Sequence, residues 1–159
     1  MRRSASSDLP FLKEILYEAV FWRDVENRPP LEEALSLPEV AKSLAGWGER
    51  DGDTALIATL NGTPVGAAWY RYWSKENYTR GYMHDKVPVV VIGVHEDFRG
   101  KQIGTKLLFG LTEQAQREGV PRISLMVSKD NYAIKLYQQQ GFEIHSETED
   151  SITMVREIK

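Results

Sequence analysis

A mixed α/β domain, antiparallel in its first half and built around a strand-helix-strand unit in its middle, is the fold class the sequence predicts. Three observations predict it. Two apolar, strand-like runs, Thr54–Leu60 and residues 65–73, flank Asn61-Gly62-Thr63-Pro64, the strongest local hairpin signal in the chain. Downstream, an apolar strand over 88–94 leads to a helix-period segment over 101–118. After it, in Arg122–Ser128, Ile123, Leu125 and Val127 alternate with Ser124, Met126 and Ser128, as in a half-buried strand. The 159 residues, 42 % hydrophobic and 27 % charged, suit one soluble domain over 1–159 with a single sizeable core.

Residues 1–6 read as a short edge strand. Ser7 or Asp8 followed by Pro10 is a cap-and-first-turn signature, and Phe11, Leu12, Ile15, Leu16, Ala19 and Val20 give the helix that follows one apolar stripe. Arg28-Pro29-Pro30 stops it. Residues 31–47 are helical in character but hold Pro38, so they read as two short helices ending at Gly46-Trp47-Gly48. The two hairpin strands should pair antiparallel. Residues 74–86 are polar and aperiodic, a loop long enough to point to function. In 101–118 the positions Ile103, Leu107, Leu108, Leu111 and Ala115 make one helix face, with Gly119 at the C-terminal cap and Pro121 just beyond. Residues 131–140 form a short helix ended by Gly141, and 142–145 and 151–158 are closing strands.

Composition narrows the function. With 20 Lys and Arg against 23 Asp and Glu, the formal charge of −3 offers no excess of cations for a phosphate backbone, so nucleic acid is not the expected partner. Cysteine is absent, which removes disulfides, a Cys-based zinc site and a thiolate-bound intermediate. His84, His95 and His145 stand far apart without ligand spacing, so no metal is expected. No apolar run reaches the roughly 18 residues of a membrane span, and Met1-Arg2-Arg3 leads into a polar stretch. The expectation is a cytoplasmic protein without a membrane partner.

The informative segment is 92–105, where an apolar strand turns directly into a helix. A helix start exposes unpaired N–H groups and the positive end of the dipole, which suits a phosphate or pyrophosphate. Gly100 and Gly104 allow close approach to the backbone, and Arg99 and Lys101 supply charge. The Walker spacing and GxGxxG are both missing. Read alone, this turn fits a polar loop with a helix cap equally well.

Two motifs together carry more. Arg99 and Gly104 follow the Ile92-Gly93-Val94 strand, and further on come Asn131, Ala133, Leu136-Tyr137 and Gly141-Phe142. In this the chain resembles the GNAT superfamily of acetyl-CoA-dependent N-acetyltransferases, strongly over about residues 88–145 and elsewhere in element order only. The family's turn reads Arg/Gln-x-x-Gly-x-Gly/Ala, and here Gln102 stands at the first of its glycine positions. The resemblance implies a mostly antiparallel central sheet flanked by helices and splayed at the central strand. It implies acetyl-CoA as co-substrate, with pantetheine running beside Ile92, Gly93 and Val94 like an added strand. The pyrophosphate would lie on Arg99, Gly100, Lys101, Gln102, Ile103, Gly104 and Thr105, and Asn131 would hold the pantetheine arm while also able to cap its helix.

The implied reaction is direct transfer of acetyl to a primary amine of a small molecule or peptide in a ternary complex, by a monomer or homodimer. Tyr137 matches the family's general acid toward the sulfur, although on periodicity alone it is also a core-facing aromatic. An amine of pKa about 10.4 is neutral in only about one molecule in a thousand at pH 7, so its proton needs a route. The strand start Pro88-Val89-Val90-Val91 has no carboxylate. Asp85 comes first among the candidate bases for its closeness to that strand, with His84 and Glu96 beside it. Phe21, Trp22, Trp47, Trp69, Tyr70, Tyr72 and Trp73 are candidate walls of the acceptor cleft. A non-catalytic acyl-CoA-binding regulatory module is the alternative reading.

Overall fold

The computed structural model describes residues 1–22 and 27–158. Among them, strands β1 (Arg2–Arg3), β2 (Thr54–Leu60), β3 (Thr63–Arg71), β4 (Val89–Val94), β5 (Arg122–Ser128), β6 (Glu143–Glu147) and β7 (Ser151–Glu157) form one sheet in the order β1-β2-β3-β4-β5-β7-β6. The β4–β5 pairing is parallel and the others are antiparallel. Helices α1 (Leu9–Val20), α2 (Leu31–Ser36) and α3 (Pro38–Leu44) precede the hairpin, α4 (Ile103–Arg117) links β4 to β5, and α5 (Ala133–Gln139) follows β5. This is the mixed, mostly antiparallel sheet flanked by helices that was expected. No helix among the described residues is long and apolar enough to cross a membrane.

Strands β2 and β3 are buried on both faces of the sheet, which explains why they lack a polar alternation. Ala67 and Trp69 of β3 pack with Leu12, Ile15 and Leu16 of α1, whereas their neighbours Ala68 and Tyr70 pack with Leu107, Leu108 and Leu111 of α4. The strand's period of two thus feeds two cores. Helix α1 lies directly on β4: a Cβ on Gly93 would stand 2.8 Å from Ile15 Cγ2 and 3.0 Å from the Ile15 carbonyl oxygen. Only a glycine permits that approach.

The hairpin turn is tighter than the four-residue punctuation suggested. Asn61 (φ 53°) and Gly62 (φ 82°) are both left-handed, as in a two-residue I′-type turn, so β3 starts at Thr63. A register shift between Ala58 and Thr59 adjusts the ladder opposite Pro64, which has no N–H to donate. The α4 helix begins at Ile103 rather than Lys101, because Gln102 sits at φ 63° and cannot be its first turn. The α5 helix starts at Ala133, where the Asn131 side-chain oxygen accepts the Ala133 N–H at 2.9 Å.

Candidate active site where the central strands part

β4 and β5 share one register pair, Val89 with Ser124, and the Ser124 N–H donates to the Pro88 carbonyl at 3.1 Å. Beyond this point the strands diverge. Strand β4 remains paired to β3 along its other edge, and among the described residues no register pair joins it to β5 after Val89, so its groups facing the opening beyond Val90 lack a ladder partner. Two clefts enter the opening. The first, about 350 Å³, runs along Ile92, Gly93 and Val94 to the turn before α4. The second, about 420 Å³, lies between Val89–Ile92 and Leu125–Ser128 under α3 and the loop of residues 74–86. Both volumes are of small-ligand size. Ala19, Trp22, Ile92, Asn131 and Tyr137 line both clefts, so Tyr137 stands at their junction.

The turn from β4 into α4 is shaped to receive an anion. The first intrahelical bond into α4 is made by the Lys106 N–H to the Gln102 carbonyl at 3.2 Å, which leaves the Ile103, Gly104 and Thr105 amides without helical acceptors. Gly100 is left-handed at φ 80° with nothing within 4 Å of its Cβ position, and a Cβ on Gly104 would meet nothing nearer than 3.9 Å. Every turn and strand residue singled out as cofactor-binding lines the first cleft except Lys101. Lys101 is exposed, with its ammonium 5.5 Å from the Phe98 ring centroid.

Arg99 is placed differently from the simple cation the sequence suggested. Its Nη2 pairs with Glu18 Oε2 at 3.2 Å and its Nε donates to the Val94 carbonyl at 3.3 Å. Glu18, buried on α1, also holds Arg28 Nη1 at 3.0 Å. This cluster ties α1 to the strand end and sets the floor of the first cleft. Sequence reasoning missed Glu18; the available signal is a carboxylate three residues after Ile15, on the buried face of the stripe.

Tyr137 is buried, with its ring 6.0 Å from that of Phe142. Burial, and after it neighbouring Tyr132, pushes its phenol up to about 12, so it holds its proton throughout the neutral range. Asp85 is separated from Tyr137. It is exposed, lines neither cleft, and accepts the Tyr82 hydroxyl, which is pushed up to about 12 by that bond first and by slight desolvation second. His84 and Glu96 also lie outside both clefts. Among the described residues, the carboxylate that lines the second cleft is Glu39, from the first turn of α3.

Most of the expected aromatic walls are core instead. Trp22 lines both clefts, whereas Phe21 packs on Tyr17 at 5.4 Å. Trp69 and Tyr70 are fixed on opposite faces of the sheet, with the Tyr70 hydroxyl on Glu118. Trp47 and Trp73 enclose the buried Arg71, whose Nε pairs with Asp53 Oδ1 at 3.0 Å. Tyr72 lies against Gly52, outside the clefts. In a sheet covered on both faces an aromatic strand residue packs against a helix wherever it points.

The family model for GNAT acetyltransferases matches residues 17–142, which runs from the last turn of α1 past the end of α5 and includes every residue lining the two clefts except Leu16. The chain belongs to the GNAT acetyltransferase family. An acetyltransferase of Pectobacterium atrosepticum is 34 % identical over 105 residues, 65 % of this chain and 64 % of that relative, so the match spans less than two thirds of its length. Among solved GNAT structures, a ribosomal-protein-alanine N-acetyltransferase from Brucella melitensis superposes with a TM-score of 0.70 at 25 % identity, covering 98 % of each chain. A phosphinothricin acetyltransferase from Sinorhizobium meliloti, in complex with acetyl-CoA, gives 0.72 at 20 % identity over 99 % of this chain and 86 % of that one. The splayed sheet is therefore the GNAT sheet. Its anion-shaped turn and unpaired β4 edge fit the diphosphate and amide groups of acetyl-CoA.

Proposed function

We propose that the protein transfers an acetyl group from acetyl-CoA to a primary amine of a small molecule or peptide, by direct attack in a ternary complex. One observation carries the reading: two clefts meet at a buried, protonated Tyr137. Acetyl-CoA would supply the activated thioester. The amides of Ile103, Gly104 and Thr105 bind its diphosphate, and the free edge of β4 takes its pantetheine amides as a neighbouring strand would. The same edge presents backbone N–H groups that polarise the thioester carbonyl. Asn131, with its side-chain oxygen engaged in the α5 cap, faces the pantetheine arm with its NH₂.

In the transfer a C–N bond forms, the C–S bond breaks, and the amine loses a proton. Tyr137 gives its phenolic proton to the departing sulfur. The amine's own proton leaves through the second cleft, where Glu39 offers a carboxylate in place of Asp85. The chain has no cysteine to carry the acetyl group, which favours direct attack over a thioester relay.

Tyr137→Phe separates catalysis from packing, since it keeps the ring and removes only the hydroxyl. Release of CoA in the presence of an amine panel should fall by about 10²- to 10⁴-fold, with acetyl-CoA affinity by calorimetry little changed. Retention of more than about half of the turnover removes Tyr137 as the acid. Tight acetyl-CoA binding without turnover on any amine would point instead to a regulatory acyl-CoA-binding module.

A further inference from the structure

The loop of residues 74–86 is held to the sheet by a buried plug. Gly81 is buried at φ 93°, and a Cβ there would stand 3.1 Å from the backbone of Leu125 and of Met126 and from Val89 Cγ1. Its carbonyl accepts the Ser124 hydroxyl at 2.8 Å, at the residue that pairs with Val89 where β4 and β5 part. Both the left-handed φ and the close approach require glycine. On the far side, the Lys42 ammonium of α3 donates to the Tyr78 carbonyl and lies over the Trp73 and Tyr78 rings. Between these anchors sit Thr79 and Arg80, and both line the second cleft.

Arg80 is exposed and has no hydrogen-bond, ion-pair or ring partner among the described residues. Arg2, Arg28, Arg71 and Arg99 are by contrast all paired to carboxylates. Glu39 lines the same cleft and is likewise unpartnered among the described residues. The rest of the lining mixes apolar Leu16, Val40 and Leu125 with polar Ser43, Ser128 and Asn131. An anion and a cation presented to one cleft, without bonding each other, complement a ligand that carries an ammonium and an acid group. A polyamine would meet Arg80 as a like charge.

We propose that Arg80 takes the carboxylate of the amine acceptor, so that the acceptors of this enzyme are amino acids rather than amines without an acid group. This rests on the acetyltransferase reading and names its substrate class. The amine points to the cleft junction at Tyr137, and Glu39 faces its positive charge. The plug at Gly81 fixes the backbone from which Arg80 reaches.

The experiment is calorimetric titration of the full chain saturated with CoA, using amino acids with short, medium and long spacers between amine and carboxylate. Each is compared with its amide and with its decarboxylated amine. At least one acid should bind tenfold or more tightly than its amide. Arg80→Gln should remove most of that preference and Arg80→Lys restore part of it. Equal binding of acid and amide, no binding of any amino acid, or a preference that survives Arg80→Gln overturns the proposal while CoA binding stands. Failure of CoA itself to bind overturns the acetyltransferase reading and this inference with it.

Discussion

Gln102 occupies a backbone conformation, φ 63°, that L side chains adopt at a cost of about 1–2 kcal/mol and glycine adopts freely. It stands where the family's turn has its first glycine, at the N-cap of α4. Gln102→Gly should relieve that strain, offset in part by the extra freedom glycine gives the unfolded chain, for a net gain of about 0.5–1 kcal/mol. The denaturant midpoint reads it, and a midpoint that falls shows that the side chain contributes more than the strain costs. At this scale the sequence was legible wherever chemistry follows a local spacing. The turn glycines, Asn131 and Tyr137 belong to two short contiguous motifs, and the structure places them around one opening. Glu18, Glu39 and Arg80 were not legible, because each reaches the site from a different, distant segment. Asp85 shows the same limit in reverse: it is close to β4 in the chain, and its side chain is turned to Tyr82.

At the scale of elements, the contact between α1 and β4 sets the first cleft, because the Glu18 cluster and the edge of β4 that lines it are held by the same packing. Gly93→Ala would put a methyl 2.8 Å from Ile15 Cγ2 and 3.0 Å from a backbone oxygen, so the helix must move away as a body. Overpacking of this kind costs about 1–3 kcal/mol. Thermal unfolding should show the loss, and acetyl-CoA affinity should weaken with it, since Arg99 is tied to the displaced helix through Glu18. Unchanged affinity in a destabilised variant would mean that α1 does not shape the cleft. Several element boundaries moved from where local signals put them: α5 starts at Ala133 behind the Asn131 cap, β3 ends at Arg71, and β6 runs on to Glu147. The late start of α4 and the early start of β3 come from Gln102, and from Asn61 with Gly62. No periodicity argument sees a positive φ at a non-glycine residue.

For the whole molecule, the N-terminal edge is fastened by carboxylates, and pH tests the fastening. The Arg2 hydrogen bond, followed by the Ala5 N–H, pulls the Asp8 carboxyl down to about 2. A depressed carboxylate contributes stability that is complete above the ordinary aspartate value of about 4 and is lost as pH falls through the folded value. Asp8→Asn should therefore lower stability at pH 5 and shrink the loss of stability between about pH 4 and 2, with the size of both effects reduced because the pair is solvent-exposed. Urea unfolding at pH 5, 3 and 2 measures this, and identical pH profiles for the two proteins would show that the pair is not felt globally. The strand order has a consequence of another kind. Because β7 lies between β5 and β6, and β5 meets β4 at one register pair, β5 has almost no ladder until the last strand exists. A ribosome delivers the N-terminal part first, so the elements from β1 to β4 can assemble while β5 is still waiting. The nascent chain thus acquires the turn between β4 and α4 before the β5 wall of the second cleft, and the wall of Leu125–Ser128 closes only when residues 151–157 leave the exit tunnel.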